Sequence, residues 1–376
     1  MRLFDTARGR PVALEATGTV GVYVCGITPY DATHLGHAAT YVAVDVLVRR
    51  LRDRGHTVHL VRNITDVDDD ILAAARRRGV HHLDLAYGQL ARFDADMAAL
   101  GCLDPWSEPR ASGAIADVRG LVHELLESGD AYHETGVVRL DLAGLTGGRG
   151  PVSGLARPEL LERHLADGAA SPDDLPPGRD PLDPVLWRPS RPGEPAWDSP
   201  WGPGRPGWHV ECAAMSRREL GDRIDLHVGG ADLVWPHHDC VKAMQDAVVG
   251  RPVVAHWYHP ALVRIDGEKM SKSAGNLVFV GDLLARYEGC AVRLAILARH
   301  PRRTWDWDPA DLDRAATRLA RWRAGRDGPT APGLLDEVRR RLDDDLDTPG
   351  ALEAIDEAVR RGHGVTDAAA LLGVTV

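Results

Sequence analysis

The 376-residue chain has no stretch approaching the ~18–20 consecutive apolar residues of a membrane-spanning helix, and its opening MRLFDTARGR holds no apolar signal-type region. A cytoplasmic protein without a membrane partner is the expectation. Cysteine is scarce: five residues, an odd number, scattered from Cys25 to Cys290, which argues against a disulfide framework and for a reducing compartment. A basic surplus is also missing, since the formal net charge is −10, and a broad nucleic-acid footprint is excluded with it. The scarcest functional types are lysine and asparagine. Of 45 basic residues only Lys242, Lys269 and Lys272 are lysine, and only Asn63 and Asn276 are asparagine. Two of the three lysines fall in one five-residue run. Lysine kept where arginine is otherwise written suggests work that needs a compact, mobile point charge rather than a planar fork.

What is present is an ordinary folded composition, 44% hydrophobic and 27% charged, long enough for roughly two to three domains. Residues 19–25 read as a buried strand, 35–54 as an apolar-periodic helix, 57–62 as the next strand and 66–78 as an acid-started helix. That is a strand–helix–strand unit of a parallel α/β sheet. Helical patterns recur at 83–100 and 111–128, and 131–141 reads as a hairpin. Residues 142–207 are crowded with glycine and proline (GGRGP, LPPGRDP, RPGEP, GPGRPG) and read as a loop-rich insertion. Strands are expected again at 222–228 and 253–259, with a helix at 237–249 between them. Helices follow at 281–288, 290–299, 309–324, 334–345 and 350–361. The expected division is 1–141, the first half of the catalytic domain with its connective part; 142–207, the insertion; 208–300, the second half; and 301–376, a helical tail.

Three constellations carry chemistry. Cys25-Gly26-Ile27-Thr28-Pro29-Tyr30-Asp31-Ala32-Thr33-His34-Leu35-Gly36-His37 runs from the end of the first strand into a helix N-terminus, where ligands dock in parallel sheets. The free N–H groups there favour phosphate, Gly36 permits close approach, and His34 and His37 can donate to phosphate oxygens whose charge grows in a transition state. Lys269-Met270-Ser271-Lys272-Ser273, flanked by Gly267 and Gly275, puts two point charges on a loop able to close over a polyphosphate. Finally, Cys25, Cys212 and His237, with His238, Asp239 or Cys240 as further candidates, stand at strand–helix junctions on one rim. Two thiolates and an imidazole suit zinc, with a fourth position open.

HLGH together with KMSKS, in that order, resembles the signature pair of class I aminoacyl-tRNA synthetases. VCGITPYDATHLGHA, NITDVDD, GWHVECAAM, GGADLVWPHH and DGEKMSKSAGN look like the cysteinyl branch over about residues 3 to 324. CGITPYDATHLGHAATY and the short C-terminal part are similar to the mycothiol-pathway cysteine ligases, which join cysteine to the amine of glucosaminyl-inositol without tRNA. The resemblance implies a class I synthetase-type Rossmann (HUP-like) α/β fold with an inserted segment and a helical tail. It also implies that ATP, with Mg2+, and L-cysteine form an adenylate that an amine then intercepts. Carried over residue by residue, catalytic roles fall on His34, His37, Lys269 and Lys272. ATP or adenylate contacts fall on Gly26, Ile27, Thr28, Gly36, Thr40, Asn63, Ile64, Thr65, Gly230, Ala231, Asp232, Val263, Met270, Ser271 and Ser273. Amino-acid contacts fall on Thr28, Thr65 and Trp208, and one Zn2+ is expected on Cys25, Cys212 and His237, with the substrate thiolate as fourth ligand.

Two departures stand out. The tRNA synthetases carry a glutamate four residues after the zinc-binding histidine; here the position is Val241, which fits a three-ligand site, although Cys240 beside it is a possible fourth ligand. The insertion reads ERHLADGAASPDDLPPGRDPLD where the mycothiol-pathway ligases have an ERGGDP-like stretch, so another small amine is an alternative acceptor. Residues 327–376 hold five arginines and no lysine against eleven acids, a poor surface for an RNA backbone, so no tRNA partner is expected and the chain is read as a monomer. A sensor that has lost catalysis is disfavoured because both signature motifs remain, and a dinucleotide-dependent dehydrogenase because no GxGxxG follows the first strand.

Overall fold

The computed structural model describes residues 1–166, 175–270 and 275–376. At its centre lies a four-stranded, all-parallel sheet in the spatial order Trp257–Tyr258, Leu226–Val228, Thr19–Ile27, Thr57–Ile64. The run TVGVYVCGI is apolar on both faces because both faces are covered: Val20, Val22, Tyr23 and Val24 are all buried. It pairs on one side with the strand that follows it and on the other with a strand two hundred residues later. The order of strands therefore reverses at Thr19–Ile27, and a crevice opens at its carboxyl end. Helix Leu35–Asp53 makes the first crossover, and its last-turn Arg50 and Arg52 complement the helix dipole.

The acid-started helix expected from residue 66 begins at Asp69 instead. Asp68 is its extended N-cap, accepting from the Asp70 and Ile71 amides, while Asp66 leaves the helix to bind the Ser112 amide and hydroxyl at 2.8 and 2.6 Å. The strands expected at 222–228 and 253–259 are shorter, Leu226–Val228 and Trp257–Tyr258, with a parallel bridge at Ile224 and Val254 marking where the pairing starts. Hairpin Arg2–Asp5/Arg10–Ala13 and the closing helix Thr366–Leu371 had no clear pattern in the sequence.

The insertion has more order than its composition suggested. Val185–Pro189 and Gly204–Pro206 continue the Ala131–Glu134/Val137–Leu140 hairpin into a four-stranded antiparallel sheet. The glycines and prolines serve as turns and close-approach points: a Cβ on Gly207 would fall 1.9 Å from the Val185 carbonyl oxygen. Buried Asp239 ties this unit down by accepting from the Val152 and Ser153 amides. The tail packs on helix Leu35–Asp53 through wholly buried Arg293, which pairs with Asp45 and donates to the carbonyls of Leu100 (3.1 Å) and Leu372 (2.6 Å). Asp343 of the tail binds Arg50 and Arg54, so part of its acidity is met inside the fold. Among the described residues no helix is long and apolar enough to cross a membrane.

Candidate active site

A cavity of about 490 Å³ fills the crevice. Cys25, Gly26, Ile27 and Thr28 form its floor, His34, Gly36, His37 and Thr40 one wall, and Trp208, Gly230, Asp232, Val263, Lys269 and Met270 the opposite side. Gly26 has to be glycine, because a Cβ would lie 1.4 Å from the Asn63 carbonyl oxygen. Its amide donates to Asn63 Oδ1 at 2.8 Å. Asn63, in turn, donates to the Thr65 hydroxyl at 3.2 Å, and the Thr65 amide donates to the Ile27 carbonyl at 3.0 Å. Asn63, Ile64 and Thr65 thus stand buried behind the floor and hold it in register rather than lining the cavity. Ala231 is likewise off the wall, with its amide on the Pro260 carbonyl at 2.9 Å. Ser271, Lys272 and Ser273 lie outside the described residues.

His34 caps helix Leu35–Asp53, its ring accepting from the His37 amide at 3.4 Å, and the two imidazoles stack at 3.7 Å. Both rings therefore stand at a helix N-terminus, where an anion is favoured. Across the cavity Lys269 Nζ sits 3.2 Å from Asp232 Oδ2, both half exposed.

Cys25, Cys212 and His237 bring one ligand atom each to within 4.8 Å of one another, all buried. Burial pushes the Cys25 thiol well up, and its hydrogen bond to Cys212, aided by His237, holds Cys212 well below the usual thiol range. His237 Nδ1 is 2.9 Å from His209 Nδ1, and its Nε2 is buried with no hydrogen-bond partner among the described residues. Trp208 stacks on its ring at 4.3 Å. Two cysteine sulfurs and an imidazole nitrogen with no hydrogen-bond partner among the described residues are the donor set a soft tetrahedral cation takes.

A second group shares Cys25 with His227 and His238. Here His238 Nε2 is already 3.1 Å from Cys25 Sγ, His238 Nδ1 is 2.6 Å from His259 Nε2, and His259 Nδ1 is 2.7 Å from the Thr6 hydroxyl. Burial keeps these imidazoles neutral, with His259 pushed down to about 3. Cys25, His238, His259 and Thr6 thus form one hydrogen-bonded row. The row orients the sulfur from behind, and His238 serves there rather than as a substitute for His237. Asp239 and Cys240 stand in neither cluster: the first holds the insertion, and the second is buried in the apolar core. Val241 lies in the apolar core.

Two acids escaped the sequence reading. Asp68 lines the cavity, takes the Thr28 hydroxyl at 3.1 Å, and is raised to about 6 by burial and by Asp70. Glu211, next to Cys212, is wholly buried with neither carboxyl oxygen hydrogen-bonded among the described residues, and burial raises it well above the carboxylate range. Nothing local marks either, since one looks like a helix-start acid and the other like a surface residue of an amphipathic helix.

Residues 12–317 match the family model described as tRNA synthetases class I (C) catalytic domain. A protein of Frankia casuarinae named L-cysteine:1D-myo-inositol 2-amino-2-deoxy-alpha-D-glucopyranoside ligase is 46% identical over 99% of this chain and 80% of its own length. A protein of the same name from Acidothermus cellulolyticus is 47% identical over 98% and 92%. Among solved structures, Mycobacterium tuberculosis methionyl-tRNA synthetase in complex with methionyl-adenylate superposes with a TM-score of 0.67 at 18% identity, over 92% of this chain and 82% of that one, a likeness of fold. The chain belongs to the class I synthetase catalytic family of the cysteine type, and within it to the family of L-cysteine:1D-myo-inositol 2-amino-2-deoxy-alpha-D-glucopyranoside ligases.

Proposed function

We propose that the chain is an ATP-dependent ligase that activates L-cysteine as its adenylate and transfers the cysteinyl group to the amine of glucosaminyl-inositol, a step of mycothiol biosynthesis. The observation that carries the reading is that one cavity joins phosphate-handling groups to Cys25, a member of the Cys25–Cys212–His237 cluster. In the first half-reaction a carboxylate oxygen of cysteine attacks the α-phosphorus of Mg2+-bound ATP, and the bond to pyrophosphate breaks. His34 and His37 donate to the phosphate oxygens from the helix N-terminus. Lys269 leaves Asp232 for the departing pyrophosphate, with Lys272 joining from the same run. Asp68, ionised at neutral pH and placed on Thr28, takes the α-ammonium of cysteine. In the second half-reaction the acceptor nitrogen attacks the activated carbonyl; the C–N bond forms, the C–O bond to AMP breaks, and the nitrogen loses a proton.

Cys25, Cys212 and His237 would hold Zn2+, which when bound supplies a soft Lewis acid preferring a thiolate to a hydroxyl. The residues around it do the rest: His209 sets the His237 tautomer, His238 orients Cys25, and Trp208 covers the triad from the cavity side. A tRNA is not the acceptor in this reading, because residues 327–376 carry eleven acids against five arginines, a poor surface for an RNA backbone.

A coupled assay of AMP release and product mass with ATP, cysteine and glucosaminyl-inositol tests it. Acceptor-dependent AMP with the cysteinyl amide in the mass spectrum is expected. Cysteine-dependent pyrophosphate exchange without that amide would move the acceptor to another small amine, the second reading favoured by the altered insertion.

A further inference from the structure

Beyond Trp208 lies a second cavity of about 280 Å³, between the insertion and the turn that precedes helix Asp239–Val249. Trp208 lines both this space and the main cleft. It is the only tryptophan besides Trp106 among the described residues that stays exposed. At the small end of the volumes that ligand sites occupy, roughly 300–1,000 Å³, the second cavity suits a compact polar molecule.

Its lining is unusual for a gap between packed units. Arg188 and Arg205 are charged, with side chains only 2% exposed, and they converge on one carboxylate. Asp69 pairs with Arg205 and lies 3.7 Å from Arg188, yet it remains 58% exposed. Arg205 is also held by buried Glu194 at 2.9 Å, so that guanidinium is fixed in place. On the opposite side Trp235 is buried, and its indole N–H has no hydrogen-bond partner among the described residues. A buried N–H left so costs free energy unless a ligand or water accepts from it.

We propose that this second cavity seats the amine acceptor, a polyhydroxylated aminosugar, with its amine toward Trp208 and the cleft. Planar guanidinium and carboxylate groups side by side match vicinal hydroxyls, one donating a pair of hydrogen bonds and the other accepting them. The indole N–H of Trp235 takes a sugar oxygen, and the Trp208 ring offers an apolar face to the C–H side of a pyranose. His164 and Leu175, described residues of the stretch that departs from the related ligases, line the cavity, so they border the group that would be selected. This assignment rests on the reading of the chain as a cysteine–amine ligase.

Two variants of the zinc-loaded full chain test it. Asp69→Asn changes a half-exposed group, and Trp235→Phe keeps the ring while removing the N–H. Each is assayed for cysteine-dependent pyrophosphate exchange and for acceptor-dependent AMP release, and each is titrated calorimetrically with glucosaminyl-inositol. The expected result is exchange within about twofold of the parent with an acceptor KM and dissociation constant raised about tenfold or more. Parent turnover of the acceptor with both variants unchanged in KM and binding would overturn the subsite and leave the ligase reading standing. Parent binding weakened in the variants, without turnover, would overturn the ligase reading and leave the subsite. No binding by the parent would overturn the subsite.

Discussion

Replacing Asp68 by asparagine should set the stability of the fold against the capture of its substrate. The carboxyl faces the cleft, caps helix Asp69–Arg78 and is raised from 3.8 to about 6 by burial and by the neighbouring Asp70 charge. A displacement of about two units corresponds to ~3 kcal/mol of added cost for ionising the group in the fold, at about 1.4 kcal/mol per unit. Water in the open cleft lowers that, so about 1–2 kcal/mol is the expectation. Because the folded chain keeps the proton where the unfolded chain has released it, stability should fall as pH rises from about 4 to about 6 and then level off. Asparagine retains the oxygen that accepts from the helix amides, a good N-cap, and carries no charge to bury. The variant should therefore be about 1–2 kcal/mol more stable at pH 7, with a flatter profile, while its KM for cysteine rises about tenfold through loss of a charged hydrogen bond. Urea denaturation of both proteins at pH 5, 6 and 7, beside cysteine-dependent exchange, measures each part. Parallel stability curves would refute the raised carboxyl, and an unchanged cysteine KM would remove Asp68 from the amino-acid site.

Lys269→Ala and Lys272→Ala should each slow adenylate formation by about tenfold or more in exchange assays with little change in cysteine binding; parental rates would end the phosphate role of that run. Cys212→Ser should lose bound metal by elemental analysis, since Cys212 supplies one of the three clustered ligand atoms, and full zinc occupancy would exclude it from the set. His259→Phe should leave the triad intact yet loosen its metal about tenfold in a chelator competition, because the row through His238 to Cys25 loses its middle member; unchanged affinity would make that row a packing feature only. Purified protein should not charge total tRNA with cysteine, and measurable charging would restore an RNA acceptor.

Much of the site is written in short contiguous runs, and those were legible. The apolar run 19–25 predicts a buried strand, HLGH falls where that strand hands over to a helix, and the scarcity of lysine singles out Lys269 and Lys272. Cys25 could be named because it stands near the end of the first parallel strand, whereas Cys212 reaches it from helix Trp208–Leu220, which follows Gly204–Pro206 of the antiparallel sheet. These features follow from local pattern and connectivity, which the order of residues determines directly.

What only the tertiary structure decided are the properties set by neighbours distant in sequence. Thr6, His259 and His238 form one row behind Cys25, with His227 beside it. Asn63 and Thr65 brace the cavity floor through Gly26 and each other. Asp69, Arg188 and Arg205 meet across more than a hundred residues. Which acid is raised, which thiol is ionised and which indole N–H lacks a partner depend on charges and dipoles within a few ångströms and on the water excluded around them, and those distances exist only once the chain has folded.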